Sequence, residues 1–282
     1  MIDVQLDVIE QVEGATIQHG SLSDRIYLMK LGDSDCESLI PTLLEIAEEQ
    51  NYSKIFTKVP LSESEPFIVN GFDAEATIPK MYNGKEDALM FGYYLEEDRK
   101  VEQQHDELEG IVKLSNSKAG NGTGQALSED YKLRKCTESD VEEMAKIYSK
   151  VFATYPFPIN DPNYLLETME SHVAYFGIEK DNELIALASA EMDEKSQSVE
   201  MTDFATLPDR RGKGFAVHLL TEMEKYTKQI GIKTAYTIAR AVSPGMNITF
   251  AKLGYSYGGR LINNTNIAGS IESMNVWHKS LV

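Results

Sequence analysis

The chain has 282 residues, 42% of them hydrophobic and 26% charged, with a formal net charge of −18. That length suits two domains with separate cores, and no apolar run approaches the roughly 18 residues a membrane-crossing helix needs, so a soluble protein without membrane association is expected. The negative charge disfavours nucleic acid and would favour a small cationic amine as partner, although a solvated acidic surface accounts for it equally well. The opening MIDVQLDVIEQ is acidic where a secretory leader would be basic, which predicts a cytoplasmic location. Cys36 and Cys136 are far apart and the five histidines are scattered, which predicts reduced thiols and no metal site.

In the first third, the alternating run Arg25 to Leu31 predicts a strand. A helix with Leu39, Ile40, Leu43, Leu44 and Ala47 on one face follows, then strands at Lys54 to Val59 and Ala88 to Leu95. This is a small α/β domain, residues 1–97, with no phosphate-binding loop. From Glu96 to Asp130 periodicity is lost and NSKAGNGTGQ, Asn116 to Gln125, favours a flexible connection, so residues 98–130 read as a polar linker before a second domain, 131–282.

The second domain opens with Tyr131 to Cys136 and a helix start at Thr137 and Asp140. Val141, Met144, Ala145, Tyr148, Val151 and Phe152 form the helix's apolar face, and the prolines of Tyr155 to Ile159 end it. Strands at Ala174 to Glu179 and Glu183 to Met192 flank a turn at Asp181 and Asn182, and a longer strand begins near Val199.

The segment Val199 to Gly231 reads as strand, glycine-rich turn and helix, with Ala216, Leu219, Leu220, Met223, Tyr226 and Ile230 on the helix's buried face. Arg210, Arg211, Gly212, Lys213 and Gly214 lie at the helix's N-terminal end. There, free backbone N–H groups and the positive end of the dipole face an incoming anion, which glycine lets approach closely. A glycine pair at such a turn is a weak signal alone. The spacing is neither the dinucleotide fingerprint nor the triphosphate cradle.

It resembles the signature Q/R-x-x-G-x-G/A of the GNAT superfamily of N-acetyltransferases, here Asp209 to Gly214, followed by the small Ala216 and preceded by Leu207 and Pro208. Asp209 departs from the pattern. A second likeness, Asn247 to Tyr255 (NITFAKLGY), resembles the superfamily segment beside the pantetheine arm of coenzyme A. Phe250 stands where many members carry a tyrosine acid, leaving Tyr255 or solvent to protonate the thiolate. Beyond the superfamily, TIQHG (Thr16 to Gly20), Asp24 to Leu31, Tyr52 to Pro60, Ile78 to Leu95 and Gly245 to Lys279 resemble the β-lysine N-acetyltransferases, which make the compatible solute Nε-acetyl-β-lysine for osmoadaptation.

The resemblance implies a mixed, mostly antiparallel sheet with flanking helices and acetyl-CoA as acetyl donor, without metal. Phe204, Ala205, Leu207, Arg210, Arg211, Gly212, Lys213, Gly214, Phe215, Ala216 and Asn247 would bind the cofactor. It also implies direct transfer in a ternary complex, with Glu200 as general base and Asp203 as its rival. Backbone N–H groups near Phe204 and Ala205 would polarise the thioester. Because a zwitterionic substrate needs partners for its charges, Arg240, Arg260, Asn263 and Asn264 are candidates for the carboxylate, and Tyr155 and Phe157 for the walls of the amine channel. Other primary amines (a polyamine, α-lysine, a protein lysine) and a non-catalytic acetyl-CoA-binding module stay open, and the first domain reads as a degenerate acetyltransferase-like half completing the substrate pocket or a homodimer contact.

Overall fold

The computed structural model describes residues 7–122 and 126–282. The first six residues of the acidic opening and residues 123–125 of the glycine-rich stretch lie outside the described residues.

The first half contains β1 (Val8–Val12), β2 (Ala15–Gly20), β3 (Arg25–Lys30), helix α1 (Cys36–Glu49), β4 (Lys54–Pro60), the short helix α2 (Glu65–Val69), β5 (Asp73–Tyr82) and β6 (Glu86–Tyr94). As the spacing predicts, α1 buries Leu39, Ile40, Leu43 and Ala47, and the Asp35 side chain caps it by accepting from the Glu37 N–H. Helices α3 (Glu97–Lys100) and α4 (His105–Asn116) follow.

The second half contains β7 (Lys132–Lys135), α5 (Val141–Val151), α6 (Pro162–Ser171), β8 (Val173–Lys180), β9 (Glu183–Asp193), β10 (Ser198–Thr206), α7 (Phe215–Gln229), β11 (Thr234–Arg240), α8 (Pro244–Lys252), β12 (Ser256–Ile267) and β13 (Ser270–Ser280). The β8–β9 turn has both Asp181 and Asn182 at positive φ (55° and 65°), the conformation a two-residue hairpin turn demands. On α7, Leu219, Leu220 and Met223 are buried, whereas Ile230, expected on the same face, lies past the helix end and is exposed.

All these strands join in one sheet of order β1-β2-β3-β4-β6-β5-β12-β13-β11-β10-β9-β8-β7. Apart from the added edge strand β7, the order repeats in mirror sequence about its centre. In each half a three-strand antiparallel run leads through a long helix to a parallel strand (β3–α1–β4 and β10–α7–β11), and then to a reversed hairpin. The halves meet where Gly259 of β12 pairs with Ala76 of β5. A Cβ on Gly259 would lie 2.2 Å from the Glu75 carbonyl oxygen, and its φ is +141°, so only glycine permits this junction.

The strands of residues 1–97 and of 131–282 thus run in one sheet, and the stretch read as a polar linker contains a helix. Within 98–130, α4 buries Leu108, Ile111 and Val112 and packs on α8, with Leu108 and Ile111 beside Ala241. Its apolar residues stand at i, i+3 and i+4 among polar neighbours, so the stripe is narrow enough to read as a polar stretch. The sheet also curls on itself. Tyr27 of β3 and Phe56 of β4 share an apolar cluster with Tyr236 of β11 and Met274 of β13, and the Lys58 ammonium donates to the Tyr236 hydroxyl at 2.8 Å.

Candidate active site

The curled sheet encloses a cavity of about 830 Å³. Its opening on the second half follows from register: β10 and β11 pair only from Ser198 opposite Thr234 to Glu200 opposite Tyr236, while on its other edge β10 bulges between Thr202 and Ala205 against β9. Asp203, inside the bulge, takes φ 55°. Past Glu200 the two parallel strands part, and the cleft between them is lined by Thr202, Asp203 and Phe204 on one side and Thr237 to Arg240 on the other.

Beyond the cleft, Gly214 caps α7 in the left-handed conformation with no side-chain hydrogen bond to the helix end, and Gly212 also has positive φ (81°). A Cβ at either glycine would meet no protein atom within 4 Å, so this backbone faces open space. Buried Phe215 anchors the turn, its ring 4.9 Å from Tyr131, while Lys213 reaches the Tyr131 hydroxyl at 2.9 Å. Arg211 donates to the Thr206 carbonyl, and Arg210 sits beside the exposed Asp209, 3.2 Å away. An uncapped helix N-terminus ringed by three cations and free of side-chain obstruction fits a diphosphate. Leu207 and Ala216 are only partly buried, whereas Ala205 is buried.

Glu200 and Asp203 both line the cavity, together with Glu191 of β9, paired opposite Glu200. Burial, reinforced by the Glu191 charge and only partly offset by Lys58 and Tyr236, pushes the Glu200 carboxyl up to about 7. Asp203 is also raised by burial, against donors that hold its ionised form. The Ser189 hydroxyl donates to it at 2.5 Å and the Tyr155 hydroxyl donates to its other oxygen. Glu200 is thus the carboxylate poised to exchange a proton near neutrality, while Asp203 is fixed by neighbours.

Several residues singled out in the sequence lie elsewhere. Tyr255 is buried in the core behind Phe250, their ring centroids 5.1 Å apart, and does not line the cavity; Phe250 and Phe204 do. Tyr255 thus presents no hydroxyl to the cavity. The Asn247 side chain is fully buried and fully used: its amide donates to the carbonyls of Arg240 and Ser243, and its oxygen accepts from Asn275 and Trp277. It braces α8 against the sheet rather than presenting a side chain to coenzyme A. Arg260 is buried between Glu102, Glu109 and Asn275, and Asn263 donates to the Arg99 and Val101 carbonyls; neither lines the cavity. Arg240 does line it, but both its bonds go to Glu272 (2.6 and 2.8 Å).

Tyr155, Phe157 and Asn264 line the cavity, with Asn264 deeply buried. Arg25, Lys58 and Glu191 line it too and were not anticipated. Arg25 and Lys58 lie within segments that read only as strand. Their polar side chains on a half-buried strand were the available signal. Among the described residues no cluster of His, Cys, Asp or Glu is arranged to hold a metal ion, both cysteines are free and buried, and no helix is long and apolar enough to cross a membrane.

The model of the acetyltransferase (GNAT) family matches residues 141–255. The β-lysine N(6)-acetyltransferase of Methanococcus maripaludis is 42% identical over 97% of this chain and 99% of its own length. The enzyme of the same name from Methanosarcina mazei is 34% identical over 87% of this chain and 97% of its own length. N-acetyltransferase YodP of Bacillus subtilis is 32% identical over 95% and 96%, respectively. With the family match falling on the elements that build the cleft and these relatives aligned nearly end to end, the chain belongs to the acetyltransferase (GNAT) family.

Proposed function

We propose that this acetyltransferase moves the acetyl group of acetyl-CoA to the ε-amine of β-lysine in the cytoplasm, forming the compatible solute Nε-acetyl-β-lysine. The observation that carries the reading is the alignment of β-lysine N(6)-acetyltransferases through both halves of the chain, because both halves line the cavity where an amine must lie.

Acetyl-CoA supplies an activated thioester. The backbone of Gly212 to Ala216 with Arg210, Arg211 and Lys213 holds its diphosphate, and the parted β10 and β11 receive the acyl end beside Phe204, whose ring packs edge-on against the buried Phe250. An amine of pKa about 10.4 is almost wholly protonated at pH 7, so Glu200 removes one proton from the ammonium and frees the nitrogen to attack. Backbone N–H groups near Phe204 and Ala205 face the carbonyl oxygen as it gains charge. The carbon–sulfur bond then breaks, and the thiolate takes up the second proton of the nitrogen. Asp203, held by Tyr155 and Ser189, shapes the bulge rather than accepting protons. The first half is an acetyltransferase-like unit that has lost its own cofactor turn and completes the amine site.

The test is mass spectrometry of the product of β-lysine and acetyl-CoA. A single acetyl group on the ε-nitrogen is expected. No product from β-lysine, with turnover of a polyamine or α-lysine, would refute the reading.

A further inference from the structure

The cavity has two unlike walls. Glu191, Glu200 and Asp203 stand on β9 and β10, while Arg25 and Lys58 face it from β3 and β4. Lys58 is accounted for: its ammonium is bound to the Tyr236 hydroxyl and lies in the field of Glu200. Arg240 is neutralised by Glu272, and the cavity-lining Lys30 and Lys195 are exposed to solvent.

Arg25 is different. It is 4% exposed, yet its guanidinium makes no ion pair among the described residues. One terminal nitrogen donates to the Asn264 carbonyl at 2.5 Å and to the Thr265 hydroxyl at 3.0 Å, while Nε is buried without a partner. The group lies over the rings of Tyr27 and Phe56, 5.4 and 5.6 Å from their centroids. Nearby Arg99, also buried, has its carboxylate in Asp24. Asp7 and Glu75 act on it only through space. A buried guanidinium with an unused donor and no carboxylate in contact is costly, and it is relieved when a ligand brings a carboxylate, the planar partner to which arginine is matched.

Resting on the proposed reaction, we infer that Arg25 receives the carboxylate of the amine substrate, so the acceptor is selected as an amino acid and a polyamine is rejected. The first half thereby sets specificity for chemistry performed by the second. With the carboxylate held on β3, the distal amine is directed toward the acids of β10. The same pairing disfavours a polyamine, which would bring further positive charge to an unpaired cation.

The test compares β-lysine with pentane-1,4-diamine, the same skeleton without the carboxylate, in the unaltered enzyme, Arg25→Gln and Arg25→Lys. The unaltered enzyme should prefer β-lysine in kcat/KM, and Arg25→Gln should lower that preference about thirty-fold or more, chiefly through the KM for β-lysine. Arg25→Lys should restore part of it. Acetyl-CoA titration of each variant reports whether the fold persists. If the ratio is unchanged in Arg25→Gln, because both substrates fall together, Arg25 only braces β12 and the assignment is overturned. Equal kcat/KM for the two amines in the unaltered enzyme overturns it without any variant. An unaltered enzyme inactive on β-lysine refutes the proposed function itself, a result distinct from a lost selectivity effect.

Discussion

The two halves follow one strand order yet are equipped oppositely. Where β10 leads into α7, the second half has Arg210 to Gly214, an uncapped helix end and open glycine backbone. Where β3 leads into α1, the first half has Gly32, Asp33, Ser34 and Asp35, with the Asp35 carboxylate already occupying the helix N-terminus. An anion would meet free donors in one and a resident acid in the other. The register continues the contrast: Glu200 opposite Glu191 in the second half corresponds to Tyr27 opposite Gln18 in the first. One topology thus supports two roles, and the difference lies in a few side chains at the ends and edges of the same strands.

The contrast is broken most severely by removing the base proposed for it. Glu200→Gln should lower kcat about 10²- to 10⁴-fold while acetyl-CoA affinity, measured by titration calorimetry, stays unchanged. The unaltered enzyme should show kcat/KM rising through about pH 7, where Glu200 loses its proton. Unchanged turnover in the variant would remove Glu200 from the role. Arg260→Gln tests a residue that does not line the cavity: leaving the buried Glu102 with His105 but without its guanidinium should cost about 3 kcal/mol in denaturant unfolding, with the KM for amine unaffected. A raised KM would return Arg260 to the substrate.

Gly214→Val places a side chain on the turn proposed to hold the cofactor, where φ is +75°. Backbone strain and obstruction together should weaken acetyl-CoA binding by about tenfold or more, read by the same titration. The equivalent probe on the first half, Asp35→Ala, should leave that affinity untouched and lower stability by about 1 kcal/mol through loss of the α1 cap.

The smallest effect concerns pH and stability. Folded Glu200 keeps its proton to about pH 7, whereas an unfolded glutamate releases it near pH 4.3. Between those values the folded state binds more protons, so the stabilising contribution is complete at low pH and is lost as pH rises through 7. Glutamine does not titrate. Glu200→Gln should therefore melt about 2–4 °C higher than the unaltered protein at pH 8, with no such gain at pH 4. An equal difference at both values would separate Glu200 from that shift.

What reads directly from sequence is what is local. The Arg210 to Gly214 turn is recognised because a helix start, two glycines and three cations lie within a few residues, and the face of α1 follows from its spacing. Among the arginines and asparagines proposed for substrate, a free and a neutralised guanidinium look alike until partners are placed. Glu272 silences Arg240, and Glu102 with Glu109 silences Arg260, across 32, 158 and 151 residues of chain respectively. Tyr255 and Asn247 turn into the core for a related reason, since a motif places a residue on an element but does not say which way its side chain turns.

By itself the sequence determined the family, the mixed sheet, the glycine-rich turn before α7 and the acid-bearing strand, all written in contiguous residues whose backbone preferences and periodicity act over one or two turns. Only the tertiary structure decided that the halves share one curled sheet and that His105–Asn116 form a helix packed on α8. It also decided that Arg25 is buried without a carboxylate bound to it among the described residues. Those outcomes depend on which charges meet across the fold, and the cost of burying an unpaired charge is set by neighbours distant in the chain.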